Sequence, residues 1–217
     1  MRSIALILLI LALPVFILML NLNLQVYNEK FYLKEFEKDN VYDNVGKDLA
    51  IENTKLLFGY FKNKNDLDLS FFNEKEKLHL VDVKNLLNTS RILLYFSIGI
   101  LILAITYLIY KKDFDGLNFG LIIGNIVAFV ILAFLVLISL FDFGSLFLNF
   151  HLGVFSNDLW QLNPATDKLI QMFPEEFFFD AFMNILINSF VVIITVFGIL
   201  FIVRKILRHY SLKEKFK

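Results

Sequence analysis

The chain has 217 residues, 58% of them hydrophobic and 26 of them Phe, with 21 Lys and Arg balanced by 21 Asp and Glu. Soluble domains are only about 45–50% apolar, so this composition, with a mean hydropathy of +0.66, excludes an ordinary soluble globule and predicts an integral membrane protein. Zero net charge leaves no basic surface for nucleic acid, and the absence of Cys excludes disulfides, thiolate metal sites and a Cys nucleophile.

Four apolar runs are long enough to cross about 30 Å of hydrocarbon, which takes about 20 helical residues: Ile4–Leu22, Ile92–Tyr110, Phe119–Phe141 and Phe182–Val203. The first (region 1–22) follows Arg2 as a signal peptide would. Its core is long for that role, however, and Asn21-Leu22-Asn23-Leu24-Gln25 offers no small-x-small cleavage site, so we read an uncleaved anchor.

Residues 23–91 mix charge with Phe31, Tyr32, Phe36, Tyr42, Leu57, Phe58, Tyr60 and Phe61, enough apolar surface for a small cap of short helices. Turns are expected at Gly46, Gly59 and the Lys62–Asp68 run. Asn73 then reads as an N-cap, closed by Glu76 three residues on. A helix from there lays Glu76, His79, Asp82, Val83 and Leu86 along one face, with a carboxylate on each side of His79. Such neighbours raise the basicity of an imidazole; the plainer reading is a solvated, charge-laced juxtamembrane helix.

After the second span (92–110) comes a short loop, 111–118, with Lys111 and Lys112, and then the third span, 119–141. Gly120 and Gly124 in it fit a small-xxx-small helix contact, and Asn125, Thr106 and Thr195 read as helix–helix hydrogen bonds. No charge occupies the middle of a span, which argues against an ion pump or proton-coupled transporter.

Residues 142–181 open with Phe141-Asp142-Phe143-Gly144-Ser145, too aromatic for a loop and too interrupted for a span. We expect a helix end that turns and stays at the interface with irregular backbone. The plainer reading of it is an aromatic belt; the functional one is a wall directing His151 inward. Trp160 is the sole Trp, and Pro164 and Pro174 punctuate the return to the fourth span, 182–203, and the basic tail, 204–217.

Arg2, Lys111, Lys112, Arg204, Lys205, Arg208, Lys213, Lys215 and Lys217 fall on one side, whereas the connection after span three has only Lys168 against six acids. The positive-inside rule therefore places both termini in the cytoplasm and 23–91 and 142–181 outside, with His79 and His151 at the outer surface and His209 in the tail. The predicted fold is all-α: four transmembrane helices, a small, mostly helical extracellular cap and a second interfacial extracellular segment.

Spacing eliminates several chemistries. Glu76-x-x-His79 is half of a di-iron motif without its second half, and no His-Glu-x-x-His zinc helix or bis-His haem geometry exists. No cofactor or metal is expected. Acid/base chemistry by two histidines survives, among lipids and lipid-modified proteins.

Glu76-x-x-His79-Leu80-x-Asp82-Val83, Phe150-His151-x-x-x-Phe155, Asp158-x-Trp160, Asp167-x-Leu169-Ile170 and Phe173-Pro174, on four spans with both termini inside, resemble the lipoprotein intramolecular transacylase (Lit) family over essentially the whole chain. Val154 and Asn157 stand where the family pattern often has an aromatic and a Gly, departures that bear on pocket shape. The resemblance implies an acyltransferase of Gram-positive cell membranes. Its substrate is a diacylglyceryl-modified lipoprotein, whose sn-2 acyl chain moves to the α-amino group of the N-terminal Cys and leaves the lyso form; His79 and His151 are implied as the essential residues.

Ester aminolysis to an amide runs downhill and demands neither ATP nor metal. An α-amine of pKa about 7.7–8.0 must lose a proton, and an imidazole suits that task. We assign the base to His79 for its carboxylate neighbours and oxyanion stabilisation to His151, with Trp160 or Lys84 as lesser donors and Glu76, Asp82 and Asp158 as supporting or substrate-binding groups. The exchanged roles, and direct attack against an acyl-histidine route, both stay open. The competing class is a non-enzymatic accessory protein whose cap binds a partner, and a small-molecule transporter ranks third.

Overall fold

A computed structural model describes residues 1–66 and 70–215, with side chains to residue 205. The side chains of Arg208, His209, Lys213, Lys215 and Lys217, and the last part of the Lys62–Asp68 turn, therefore lie outside the described set. All regular structure among the described residues is helical: α1 (Arg2–Gln25), α2 (Glu29–Lys38), α3 (Val41–Val45), α4 (Lys47–Phe61), α5 (Glu74–Tyr110), α6 (Phe114–Val154), α7 (Lys168–Met172) and α8 (Glu175–Lys215). Helices α1, α5, α6 and α8 are long and apolar enough to cross a membrane. The chain is an all-α, multi-pass membrane protein.

It divides into two compact units, one of residues 1–21, 92–135 and 185–217, the other of residues 22–91 and 136–184. In the first, large apolar side chains such as Ile102, Leu103, Phe134 and Ile194 are exposed, as expected where the surrounding solvent is hydrocarbon rather than water. Small residues make the inner contacts: a Cβ on Gly120 would lie 2.7 Å from Leu9 Cδ2, and one on Gly124 3.3 Å from Leu13 Cβ and 3.4 Å from Ile10 Cα. Gly124 thus lets α6 approach the α1 backbone, while Gly120 leaves room for the Leu9 side chain. Asn125 and Thr195 correct the sequence expectation. Their side chains donate to Leu121 O at 2.8 Å and Val191 O at 2.8 Å, carbonyls one turn back in their own helices rather than on a neighbour. The reason is local: a carbonyl four residues back is always within reach of such a side chain.

The second unit has an aqueous-type core. Phe31, Phe36, Val41, Val45, Ala50, Leu57, Tyr60, Phe61, Phe72 and Leu80 bury against Leu169, Met172 and Phe177. Tyr32 is the hub of its aromatic network, edge-on to Phe36, Phe58, Phe173 and Phe177 at 4.9–6.1 Å. Asn28 caps α2 by accepting from Phe31 N–H, and Gly46 takes φ 92° between α3 and α4, a conformation that glycine adopts without Cβ strain.

Two local devices position the histidine-bearing helices. The capping box expected at the start of α5 is present: Glu76 N–H donates to Asn73 Oδ1 at 3.0 Å and Asn73 N–H to Glu76 Oε2 at 2.6 Å. At Asp142, α6 breaks for a single residue (φ −158°, ψ 86°) and resumes. Asp142 Oδ1 accepts from Ser145 N–H at 2.9 Å, so it caps the second piece, and the segment expected to be irregular after 142 is helical to Val154.

Candidate functional site

His79 is carried by the first part of α5 and His151 by the second piece of α6, and both are buried in the second unit, 7% and 8% exposed. Their ring centroids are 6.4 Å apart, with planes inclined by 34°. Phe155, one turn beyond His151, lies edge-on to His79 at 5.1 Å and against His151 at 5.6 Å. Phe147 (4.3 Å), Phe150 (5.4 Å) and Trp160 (5.0 Å) complete an aromatic collar around the His151 ring.

The imidazoles differ in their partners. His151 Nδ1 lies 2.7 Å from Phe147 O. A carbonyl only accepts, so Nδ1 carries the hydrogen and Nε2 of the neutral ring carries the lone pair. His79 Nδ1 is buried without a hydrogen-bond partner among the described residues. Burial, with the nearby positive form of His151, pushes His79 down to about 4 against the opposing pull of Asp82. Desolvation disfavours the charged form, and here it outweighs the single carboxylate.

The carboxylates explain that balance. Glu76, 1% exposed, is committed elsewhere: besides Asn73 N–H it accepts Leu169 N–H at 2.6 Å, joining the start of α5 to the start of α7 across 93 residues. Asn73 Nδ2 donates to Asp167 Oδ1 at 3.0 Å, and Asp167 Oδ2 accepts Asn163 N–H at 2.7 Å. The Asn163 N–H, followed by Thr166 and Asn73, holds the Asp167 carboxyl below its ordinary value. This network fixes the chain on which Trp160 sits. Asp82 accepts from Asn157 Nδ2 at 2.9 Å. Asp158 is exposed in the same turn, accepting from Gln161 Nε2 at 3.2 Å. Lys84 is turned to the Tyr60 ring, its Nζ 3.9 Å from the centroid.

Of the residues singled out from sequence, His79, His151 and Trp160 therefore come together, with Asp82 on the rim. Glu76, Lys84 and Asp158 do not join them. Sequence reasoning missed Phe147 and Asn157 as site residues; the i, i+4 spacing of Phe147 and His151 was the available signal for the first. As to metals, Glu35, Asp39 and Asp180 bring carboxylate oxygens within 4.8 Å of one another, but the Lys38 ammonium pairs with both Glu35 and Asp180 and supplies the cation there.

The family model for the lipoprotein intramolecular transacylase Lit matches residues 7–178. The chain belongs to the Lit family. It is accordingly an acyltransferase, a membrane-integral lipoprotein transacylase. Its helices superimpose on the in meso structure of the membrane-integral Lit from Bacillus cereus with a TM-score of 0.82 at 28% identity, over 99% of this chain and 97% of that one. A variant of the Bacillus cereus protein with one histidine replaced by Arg gives a TM-score of 0.82 at 27% identity, covering 97% of this chain and 95% of that chain. None of the curated proteins compared matches.

Proposed function

We propose that this Lit family member transfers the sn-2 acyl chain of a diacylglyceryl-modified lipoprotein to the α-amino group of the same N-terminal Cys, at the outer leaflet, with His151 as general base and acid and His79 as the hydrogen-bond donor to the oxyanion. The observation that carries this reading is the pair itself: two buried imidazoles 6.4 Å apart, one with its tautomer set by a backbone carbonyl. The outward orientation rests on the distribution of Lys and Arg in the short loops.

Burial of His79 and the Nδ1 contact of His151 favour exchanging the roles that the carboxylate neighbours of His79 suggest, the alternative left open by the sequence. His79, held near pKa 4, is a weak base and stays neutral at physiological pH. His151 presents a basic Nε2, and we assign to it the proton of the attacking amine. The amine nitrogen bonds to the sn-2 carbonyl carbon, the oxyanion takes a hydrogen bond from the neutral His79 ring, and the C–O ester bond breaks. The proton on His151 Nε2 passes to the departing glyceryl oxygen, which becomes the sn-2 hydroxyl. Nothing is gained or lost overall, as an intramolecular transfer requires. A buried, water-poor site strengthens the hydrogen bond to the oxyanion, and reacting groups within one molecule need no second encounter.

Mass spectrometry of N-terminal lipopeptides from cells expressing wild type, His79→Ala or His151→Ala tests the reading. Wild type should convert diacylglyceryl lipopeptide to an N-acyl, S-monoacylglyceryl form of unchanged mass and altered fragmentation, and both variants should leave it unconverted. An unchanged lipopeptide with well-inserted wild type overturns the proposal.

A further inference from the structure

A cleft of about 250 Å³ lies in the second unit beside the histidine pair, lined by Asp82, Asn85, Leu86 and Thr89 from one face of α5 and by residues 154–157 at the end of α6. Phe155 belongs to both places: it lines the cleft and touches both imidazoles. His79 stands three residues before Asp82 on the same helical face. Whatever occupies the cleft is therefore next to the reacting groups.

The lining decides what that occupant is. Among the described residues it presents a carboxylate, two carboxamides and two hydroxyls beside the apolar Leu86, Val154 and Phe155, and no Lys or Arg; the Thr89 hydroxyl donates to Asn85 O at 3.0 Å and keeps its lone pairs to accept. An acyl chain there would strip water from these groups without replacing their hydrogen bonds. A cationic, hydrogen-bonding group would satisfy them. Asn157 is already engaged at both ends: its Nδ2 donates to Asp82 Oδ2 at 2.9 Å and its Oδ1 accepts Leu159 N–H at 3.0 Å. It is a positioning residue, fixing the Asp82 carboxylate through one of its two oxygens.

We propose that this cleft receives the polypeptide end of the substrate: Asp82 binds the α-ammonium of the N-terminal Cys, and Asn85 and Thr89 bind the first peptide groups behind it. This rests on the transacylase reading of the histidine pair. An α-amine of pKa about 7.7–8.0 arrives largely protonated, so a carboxylate selects it as the ammonium; one proton leaves to solvent to give the neutral amine, and His151 takes the second as that amine attacks. The same charge distinguishes an unmodified N-terminus from one already acylated, and the product amide loses its hold on Asp82.

The test uses the full chain in detergent micelles and a synthetic cysteinyl tripeptide bearing a dialkyl-ether glyceryl group, which has no sn-2 carbonyl to transfer. Binding of the free-amine peptide and its N-acetylated counterpart is followed by the fluorescence of Trp160, the sole Trp. Wild type should bind the free amine at least about tenfold more tightly, and Asp82→Asn, which keeps the shape and the Asn157 contact, should abolish that preference while leaving N-acetyl peptide binding unchanged. Asn157→Ala should reduce the preference in the same direction. Equal weakening of both peptides by Asp82→Asn makes Asp82 a structural residue and overturns the proposal, as does wild type binding both peptides equally. If the preference holds but no lipopeptide is converted in cells, the transfer reading falls and the ammonium site stands; if conversion proceeds without the preference, the site alone falls.

Discussion

His151 Nδ1 lies 2.7 Å from the carbonyl of Phe147, one turn earlier in the same helix. That bond leaves Nε2 as the basic nitrogen and makes a spectroscopic prediction. In protein labelled with 15N at histidine, His151 should give the Nδ1–H tautomer at pH 7.5, with a non-protonated Nε2 resonance. A dominant Nε2–H form would remove His151 as the base.

The depressed pKa of His79 predicts a pH dependence of stability. Unfolding returns the group from about 4 to its ordinary 6.5, so between these values the unfolded chain binds the extra proton and stability rises with pH. The contribution is complete above pH 6.5, declines as pH falls from 6.5 to 4, and is exhausted below. Its full size is on the order of 3 kcal/mol. Thermal unfolding in micelles at pH 7 and pH 4.5 should show a larger drop for wild type than for His79→Gln; parallel drops would mean that His79 titrates normally.

Glu76 tests the join between α5 and α7. Glu76→Ala strands the buried N–H of Leu169 and the Asn73 N–H of the capping box, for a loss of about 2–6 kcal/mol at about 1–3 kcal/mol per orphaned group. Glu76→Gln keeps an acceptor and should lose less. Limited proteolysis between residues 155 and 168 should report the loosened segment, and an Ala variant as resistant as wild type would refute the assignment.

Lys84 directs its ammonium over the Tyr60 ring, 3.9 Å from the centroid. Lys84→Met should therefore keep lipopeptide conversion within about threefold of wild type, while removing a cation–π contact of about 0.5–2 kcal/mol. A loss of activity as deep as that of His79→Ala would return Lys84 to the reaction.

Gly124 carries a prediction about the first unit. A side chain there meets Leu13 Cδ2, which can swing aside, and behind it Leu13 Cβ and Ile10 Cα, which cannot without moving α1. Gly124→Leu should destabilise by about 1–3 kcal/mol through overpacking, seen as a lower melting temperature in micelles. Unchanged melting would show that α1 has room to move away.

Some of this structure is written locally in the chain. Twenty apolar residues in a row can only be satisfied as a helix in hydrocarbon, so composition and run length determined the all-α membrane class and the four long helices. Asn73 and Glu76 are three residues apart, and their capping box needs nothing beyond its own helix turn. By spacing alone, however, Glu76 reads as a neighbour of His79, because the two share a helical face. Only the tertiary structure brings Leu169 N–H to its carboxylate, and a bond formed across 93 residues has no signature in local spacing. The base strength of His79 was likewise beyond the sequence: its carboxylate neighbours are visible in the letters, but desolvation, which outweighs them, exists only once Phe155 and the surrounding chain have closed over the ring.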